Sequence, residues 1–527
     1  MTKAVVDIET DSLNATKIHC IVAKHYYSNQ ERCWIGDECK DFANWSKGIS
    51  EFVMHNGISF DAPVLNRLTG SNIKLNQIRD TLIESQLYNP IRDGGHSLES
   101  WGERLNYNKG NFTEFSEYSD NMLEYCKRDV ELTRRLSVKL QEEGKNFSSQ
   151  AYEIERKVRS IVDKQQQNGF ALNIKEAMLL QAELLDEQYN LERQADETFP
   201  PKEIQLKTKV KYVPFNIASR KQIAERLIEK GWKPDKHTDK GNIIVSEEVL
   251  SKIKDIPEAE MFSRYFLLQK RTGLLKSWIQ ECQEDERVRG KVLTLRTVTG
   301  RMAHHGPNMA QVPAIYSPYG KECRSLWTVS NTDTHSLVGT DASGLEIRCL
   351  AHYMDNAKFT DIVLSGDVHT ANQQAAGLKT RDQAKTFIYA FLYGAGAAKI
   401  GKISALKVLR ENIQERIKDH DTIRGLDGRM LYIRSPHAAL NTLIQGAGAI
   451  ICKQWLIQMD NRINQLGIDA KLVASVHDEY QFEVLKSDVK RFTKITKESM
   501  WDTQRIFNFK CDLDCDYKIG KTWAETH

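Results

Sequence analysis

Carboxylates near the amino-terminal end of the chain have a spacing that suits metal binding. The run KAVVDIET alternates as a strand does, so Asp7 and Glu9 lie on one face, where two carboxylates repel each other unless a cation lies between them. Asp61 follows a Gly-containing turn in HNGISFDAPVL, and Tyr125 and Asp129 share a helix face in EYCKRDVELT. Four acids and a phenol suit two metal ions and a water positioned to attack a phosphodiester. A solvated strand edge is the alternative for Asp7 and Glu9.

A second set of polar side chains recurs at four-residue spacing in RDQAKTFIYAFLYGAG, residues 381–396. Residues four apart on a helix lie on one face. The resulting stripe consists of Arg381, Lys385, Tyr389 and Tyr393. Two cations beside two phenol rings suit a ligand with phosphates and a base, such as a nucleoside triphosphate. An amphipathic surface helix with solvated cations is the alternative.

Two more carboxylates adjoin apolar strands in the second half of the chain. In LVGTDASGLEIRCL a strand from Leu337 ends near Asp341, and a turn leads into a helix from about Leu345. LVASVHDEYQFEV predicts two strands with Asp478 at the hairpin tip, where it can face Asp341 across a neighbouring strand. Such exposed carboxylates can ligate a metal, although a capping or turn aspartate is the alternative.

The elements that must position these groups include a hairpin in GLDGRMLYIRSP and a long buried helix that begins with Pro436. His437, Asn441 and Gln445 recur every four residues on that otherwise apolar helix. All four base pairs of a nucleic-acid duplex present hydrogen-bond acceptors at shared minor-groove positions, so protein donors there can test base pairing without reading the sequence. We predict that Arg434, His437 and Gln445 make such minor-groove contacts.

Composition sets wider limits on the class of protein. The chain has 527 residues, 40% hydrophobic and 28% charged, which indicates a globular protein of several domains. It has no apolar run long enough for a membrane helix and no signal-peptide pattern, so we expect a cytoplasmic protein. Ten cysteines without paired CxxC spacing are expected to be reduced. A net charge of +3 excludes a uniformly basic surface, although residues 201–240 alone carry about +6.

These strings, in this order, resemble family A DNA polymerases of the short-tailed-phage replicative branch, the bacteriophage T-seven type. The resemblance implies a multidomain α/β fold with an RNase H-like DEDD exonuclease domain and a right-hand polymerase that has an antiparallel palm sheet and helical fingers and thumb. It places the exonuclease domain at residues 1–145, the thumb at 146–290, the first palm segment at 291–368, the fingers at 369–432 and the second palm segment at 433–527.

The resemblance also implies roles for particular residues, with two Mg²⁺ ions in each active site and Mn²⁺ as a possible substitute. Exonuclease metals would be held by Asp7, Glu9, Asp61 and Asp129, directly or through water, with Tyr125 positioning the nucleophile. Polymerase metals would be held by Asp341, the carbonyl of Ala342, and Asp478. The triphosphate would contact His369, Arg381 and Lys385, with Lys385 as proton donor. Glu346 would pack near Tyr389, which stacks on the sugar, and would crowd a ribose 2′-hydroxyl. The primer-template contacts would be Arg301, Asn308, Gln311, Tyr393, Arg434, His437, Gln445 and His477.

The middle of the chain departs from these relatives. Strings such as NIASRKQIAERLIEKGW and YFLLQKRTG resemble the phage thumb, rather than a plain helical spacer. The T-seven type carries a long thumb insertion that recruits host thioredoxin, whereas this chain has only a short loop at residues 200–212, which argues against thioredoxin dependence. The implied partners are primer-template DNA, deoxynucleoside triphosphates, and a phage helicase, primase and single-stranded DNA-binding protein, in the cytoplasm of an infected bacterium.

We therefore predict a template-directed DNA polymerase with 3′-5′ proofreading that replicates phage DNA. A repair-type family A polymerase is one alternative. A single-subunit RNA polymerase is a weaker one, because Glu346 and the amino-terminal acids argue against it. A non-catalytic DNA-binding remnant would require lost acids, and all of them are present.

Overall fold

The computed structural model describes residues 2–205, 210–365, 404–418 and 421–527. The chain forms two compact units. Unit 1 contains Met1–Asn168, Lys291–His305 and Val338–Ile519, and unit 2 contains Gly169–Gly290, Gly306–Leu337 and Gly520–His527. No helix within the described ranges is long and apolar enough to cross a membrane.

The amino-terminal part of unit 1 is a five-stranded mixed sheet flanked by helices. Its strands are β1 Lys3–Thr10, β2 Ile18–His25, β3 Glu31–Ile35, β4 Glu51–Met54 and β5 Ile78–Asp80, in the order β3-β2-β1-β4-β5. β1 pairs antiparallel with β2 and parallel with β4, and β5 runs parallel to β4. The helices are α1 Phe42–Ser46, α2 Asp61–Thr69, α3 Thr81–Tyr88, α4 Leu98–Arg104, α5 Asp120–Glu143 and α6 Ser149–Asn168. This topology places β1 in the centre of the sheet, so its side chains are covered on both faces.

Unit 2 is mainly helical. Its helices are α7 Ile174–Thr198, α8 Arg220–Glu229, α9 Glu247–Leu250, α10 Glu258–Glu281, α11 Gly320–Ser325 and the carboxy-terminal Trp523–Thr526. α7 and α10 pack side by side, and Arg264 Nε lies 2.6 Å from Glu187 Oε1 between them. Short strands β6 Phe170–Leu172, β9 Arg287–Val288 and β12 Trp327–Thr328 form a sheet in the order β12-β6-β9.

Two segments of unit 2 differ from the sequence predictions. Strand β6 lies in the NGFALN segment between α6 and α7, where the sequence predicts no strand, and its Phe170 and Leu172 are buried where it pairs with β9 and β12. The segment predicted as a short loop at residues 200–212 overlaps two strands, β7 Lys202–Gln205 and β8 Val210–Val213, which pair antiparallel. The Ser219 side chain caps α8, since it accepts a hydrogen bond from Gln222 N at the start of that helix.

The carboxy-terminal part of unit 1 is built on a four-stranded sheet and a long central helix. The sheet has the order β16-β17-β13-β18, with β13 His335–Ala342, β16 Ala470–Val476, β17 Glu479–Leu485 and β18 Cys515–Gly520. Two hairpins, β10 Lys291–Leu293 with β11 Ala303–His305 and β14 Thr422–Arg424 with β15 Met430–Tyr432, lie in the same unit. The helices are α12 Leu345–Met354, α13 Ala357–Leu364, α14 Ser404–Arg416, α15 Ala439–Leu466 and α16 Val489–Ile506.

The core of this part forms around α15, which is apolar on nearly every face. Trp455, Ile450 and Ile451 of α15 are fully buried beside strands β16 and β17 and helix α16. Ile154 and Val158 of α6 belong to the same cluster, so the helix that follows the amino-terminal sheet packs into this core. The continuous burial explains why α15 extends for 28 residues despite the two glycines in its Gly446–Ala449 segment.

Candidate active sites

The amino-terminal acids converge at the middle of strand β1. Asp7 and Glu9 are two residues apart on β1, opposite Val22 and Cys20 of β2. Asp61 is the first residue of α2, and Asp129 lies one helical turn after Tyr125 on α5. Glu9, Asp61 and Asp129 are all buried. The structure therefore brings together the acids that the sequence singled out.

Burial and mutual repulsion raise the pKa values of this acid cluster. The pKa of Asp7 lies well above its usual value, through burial first and then through the charges of Asp61, Asp129 and Glu9. Burial, followed by the charge of Asp129, raises the pKa of Glu9 to about 8. Burial raises the pKa of Asp61 to about 7. The cluster therefore needs added positive charge to be fully ionised at neutral pH.

The donor set fits a divalent cation that prefers oxygen ligands. Asp129 Oδ1 is buried and has no hydrogen-bond partner among the described atoms. Ligand atoms of Asp7, Glu9 and Cys126 lie within 4.8 Å of one another. Burial raises the pKa of the Cys126 thiol well above its usual value, so the thiol stays protonated and donates to Asp7 Oδ2 at 3.6 Å. Carboxylates are then the available anionic ligands, as Mg²⁺ or Mn²⁺ require.

Lys109 is a member of this site that sequence reasoning missed. Its Nζ lies 2.9 Å from Asp129 Oδ2 and 4.9 Å from the centre of the Tyr125 ring. Phe112 and Phe115 pack on the same ring, at centroid distances of 5.6 and 6.2 Å. The lysine lies in the loop between α4 and α5, where no periodic pattern identifies a lysine that points inward.

Asp80 is a second residue that sequence reasoning missed. Its carboxylate is buried and accepts hydrogen bonds from the backbone N–H groups of Asn56 at 3.0 Å and Ile58 at 3.2 Å. It also caps α3 by accepting from Leu82 N. These bonds hold the turn that precedes Asp61. A capping aspartate was readable from the sequence RDTL, but its bonds across to the turn were not.

The carboxy-terminal acids meet where two neighbouring strands end. Asp341 lies near the end of β13, and Asp478 lies in the two-residue turn between β16 and β17, as the sequence predicts. The N–H of Ala342 donates to the carbonyl of Asp478 at 3.1 Å, which sets the two acids side by side. The residue Asp341 is exposed as a whole. Its carboxylate is nevertheless partly desolvated, and this desolvation, followed by the charges of Asp478 and Glu479, raises the pKa of Asp341 to about 7.

A small cavity of about 30 Å³ adjoins Asp478. Its walls include Arg301, Glu346, His477 and Lys453. Arg301 Nη2 donates to Glu346 Oε1 at 2.8 Å, so two residues that the sequence assigned to different ligands are paired with each other. This pair lies on the side of the cavity formed by the segment before β11 and by α12.

A fully buried charge network supports this region and was missed by sequence reasoning. Lys453 Nζ lies 2.7 and 2.8 Å from the two Glu155 oxygens and donates to the carbonyl of Thr294 at 2.8 Å. Arg429 bridges Glu155 at 2.7 Å and Asp427 at 2.6 Å. Gly300, at a φ of +75°, leaves room for that guanidinium, because a Cβ there would lie 2.9 Å from Arg429 Nη1. The network joins α6 to α15 and to the loop that carries Arg301.

The other predicted nucleic-acid contacts are placed individually. Arg434 and His437 are exposed just before α15, and Gln445 is half-buried one and a half turns into it. Asn308 and Gln311 lie in unit 2, where Asn308 accepts a hydrogen bond from Ala310 N and Gln311 is exposed. The remaining predicted residues, His369, Arg381, Lys385, Tyr389 and Tyr393, lie outside the described residues.

An acid cluster beside a mixed sheet and an acid pair at a palm-like hairpin are together typical of an enzyme that hydrolyses and forms phosphodiester bonds. Comparison with known families identifies the class. A model described as DNA polymerase family A matches residues 185–424 and 411–525, and a model described as 3′-5′ exonuclease matches residues 2–145. The chain therefore belongs to DNA polymerase family A and has an amino-terminal 3′-5′ exonuclease domain.

Individual relatives narrow this class. The chain is similar to the DNA-directed DNA polymerases of Enterobacteria phage T3 and Escherichia phage T7. Each is 31% identical in an alignment 711 residues long, which covers 99% of this chain and 100% of the relative. It also resembles the solved POL domain of Pol1 from M. smegmatis in complex with DNA primer-template and dNTP, with a TM-score of 0.83 and 17% identity, over 100% of this chain and 96% of that chain.

The predicted fold class and function are confirmed. The chain is a DNA-directed DNA polymerase with a 3′-5′ exonuclease domain, and the phage relatives favour the replicative type over a repair polymerase or an RNA polymerase. Metal dependence follows from both families, and the acid sites described above fit it.

Proposed function

We propose that Asp341, Asp478 and the carbonyl of Ala342 hold two Mg²⁺ ions in the polymerase site. The observation that carries this proposal is the 3.1 Å hydrogen bond from Ala342 N to the Asp478 carbonyl, which aligns the two strand ends. When bound, the metal supplies charge that lowers the pKa of the primer 3′-hydroxyl and neutralises the triphosphate. Mn²⁺, which has similar ligand preferences, is proposed as a substitute.

The substrate contacts belong to the same proposal. The cations Arg381 and Lys385 and the imidazole of His369 bind the triphosphate, and Lys385 donates a proton to the leaving pyrophosphate. Tyr389 stacks on the sugar and Tyr393 holds the template base. Glu346, held by Arg301 at 2.8 Å, crowds the position of a ribose 2′-hydroxyl and so favours deoxynucleotides.

The primer-template is the second substrate. We assign its duplex to contacts with Arg301, Asn308, Gln311, Arg434, His437, Gln445 and His477. The exposure of Arg434 and His437 beside the polymerase core, together with the DNA bound by the M. smegmatis relative, supports this assignment. Their donors would read minor-groove acceptors common to all base pairs, which suits sequence-independent synthesis.

At the exonuclease site, Asp7, Glu9, Asp61 and Asp129 are proposed to hold two Mg²⁺ ions, directly or through water, and Tyr125 to orient the attacking water. The buried and unpartnered Asp129 Oδ1 supports this role. The pKa values of Asp61 and Glu9, which burial raises most, also support it, because bound cations favour the ionised carboxylates that burial disfavours.

The proposed setting is replication of phage DNA in the cytoplasm of an infected bacterium, with a phage helicase, primase and single-stranded DNA-binding protein as partners. Host thioredoxin is not proposed as a partner. The phage alignments extend over 711 residues against the 527 of this chain, so the relatives contain segments with no counterpart here. The short β7-β8 hairpin agrees with the loss of a large thumb insertion.

Extension of a labelled primer on a long template tests the polymerase assignment and the thioredoxin exclusion together. With Mg²⁺ and excess template, we expect long products from the chain alone, no gain on adding thioredoxin, and no extension by Asp478→Ala. Undiminished extension by Asp478→Ala would refute the metal assignment. Long products only with thioredoxin would refute its exclusion while leaving the chemistry intact.

A further inference from the structure

Lys109 contacts two of the groups assigned to exonuclease chemistry. Its ammonium lies 2.9 Å from Asp129 Oδ2. It also lies 4.9 Å from the centre of the Tyr125 ring. Asp129 is 4% exposed and Lys109 27% exposed at the side chain, so the contact lies at the wall of the acid cluster.

The loop that carries Lys109 is held against both neighbouring helices. On α4, Gly102 packs so closely that a Cβ there would lie 2.9 Å from the Lys109 N atom and from the Tyr107 carbonyl. The Tyr107 N–H also donates to the Gly102 carbonyl at 2.9 Å. On α5, Arg128 Nε donates to the Asn108 carbonyl. These contacts fix the backbone that leads up to Lys109 and so restrict where its side chain can reach.

The two oxygens of Asp129 have different surroundings. Oδ2 accepts the Lys109 ammonium, whereas Oδ1 is buried and has no hydrogen-bond partner among the described atoms. A carboxylate held by one oxygen presents its other oxygen in a fixed direction. Removing a group that orients a metal ligand in this way typically costs about 10- to 100-fold in metal affinity or activity. Lysine and metal therefore need not compete for the same atom.

We propose that Lys109 is a positioning residue of the exonuclease. It holds Asp129 so that Oδ1 faces the metal, holds the Tyr125 hydroxyl towards the attacking water, and supplies positive charge to the acid cluster before metal binds. This inference rests on the proposed roles of Asp129 and Tyr125. It adds a group that neither of those roles requires.

The decisive measurement is Mn²⁺ binding to the full chain, monitored by electron paramagnetic resonance. The chain carries the Asp478→Ala change, which removes a proposed polymerase-site ligand. Lys109→Met should weaken exonuclease-site binding by about 10- to 100-fold, and Lys109→Arg should restore most of it. Lys139→Met is the matched control, because Lys139 lies on the exposed side of α5, 3.6 Å from Glu142, and should change nothing. Unchanged or tighter Mn²⁺ binding by Lys109→Met would overturn the proposal, since a lysine that only competes with the metal predicts tighter binding.

Two further readouts separate positioning from other roles. In single-turnover hydrolysis of single-stranded DNA, Lys109→Met should lower the maximal rate at saturating Mg²⁺ by about 10- to 100-fold. Primer extension by Lys109→Met in the chain that retains Asp478 should be unaffected. A rise in the DNA concentration for half-maximal rate, with the maximal rate unchanged, would overturn the proposal in favour of a phosphate contact. Asp129→Ala tests the underlying assignment separately: if it retains Mn²⁺ binding, the metal role of Asp129 fails whatever Lys109 does.

Discussion

The two acid sites of this polymerase differ in how their carboxylates are held. At the exonuclease site four acids from β1, α2 and α5 are mostly buried and have one lysine, Lys109, within 2.9 Å of Asp129. At the polymerase site two acids lie at neighbouring strand ends, and the residue Asp341 is exposed. The first site concentrates acidic side chains inside the protein, whereas the second leaves its acidic side chains open to a large substrate. We therefore expect metal to affect stability mainly through the exonuclease site.

The largest expected effect is the separation of the two activities. Asp7→Ala with Glu9→Ala should lower exonuclease activity by at least about 1000-fold, because it removes charge that holds the reacting phosphate and metals, and should leave primer extension unchanged. Hydrolysis of labelled single-stranded DNA and primer extension on the same preparation measure both. Retained exonuclease activity would show that the β1 acids are not its metal ligands.

The next effect concerns the buried charge network. Its two acids, Glu155 and Asp427, are balanced by two cations, Arg429 and Lys453, whereas the two active sites hold an excess of acids. Burial lowers the pKa of Lys453 to about 8, and its ammonium remains charged at neutral pH through Glu155. Lys453→Met would leave Glu155 less compensated and should cost about 3–5 kcal/mol in the free energy of unfolding. Lys494→Met, at an exposed ion pair with Glu498, is the control and should change it little. Chemical denaturation measures both, and equal small effects would show that the network contributes no specific stability.

A third effect, smaller than the second, is the pH dependence of stability without metal. The folded-state pKa values of Asp61 and Glu9 are raised to about 7 and about 8, so the folded state binds protons more tightly than the unfolded state. Their stabilising contribution is therefore full at low pH, near the ordinary carboxyl pKa of about 4, and is lost as the pH rises towards 8.

Thermal unfolding in EDTA between pH 5 and pH 8 measures this loss. We expect the Tm to fall across that range, and saturating Mg²⁺ to reduce the fall, because metal binds the ionised carboxylates. Asp61→Asn should also reduce the fall in EDTA. An Asp61→Asn variant with the wild-type pH dependence would show that the cluster is not its source.

The smallest expected effect concerns sugar selection at the open site. The Arg301–Glu346 pair is 33% and 23% exposed at its side chains, and ion pairs of that kind contribute up to about 1 kcal/mol. Arg301→Met should therefore reduce the preference for deoxynucleotides over ribonucleotides by no more than about 5-fold. The ratio of kcat/KM for the two substrates measures it. A much larger loss would show that Glu346 depends on Arg301 more strongly than their exposure indicates.

Much of the local structure was predictable from short-range pattern. The strand that carries Asp7 and Glu9, the α5 face that carries Tyr125 and Asp129, and the hairpin turn at Asp478 follow from residue periodicity and turn chemistry. The roles assigned to these residues remain predictions. The β6 strand was missed because three residues are too few to show a period, and pairing with β9 and β12 decides their conformation.

Acids, cations and phenols at spacings suited to two phosphoryl-transfer sites can be recognised in the sequence, because such spacings are local properties of strands and helices. The charges that meet across long separations, in contrast, depend on the folded arrangement. Lys109 reaches Asp129 through a loop, and Lys453 reaches Glu155 across 298 residues of chain. No local period encodes those contacts, since they depend on how separate elements pack around a common core.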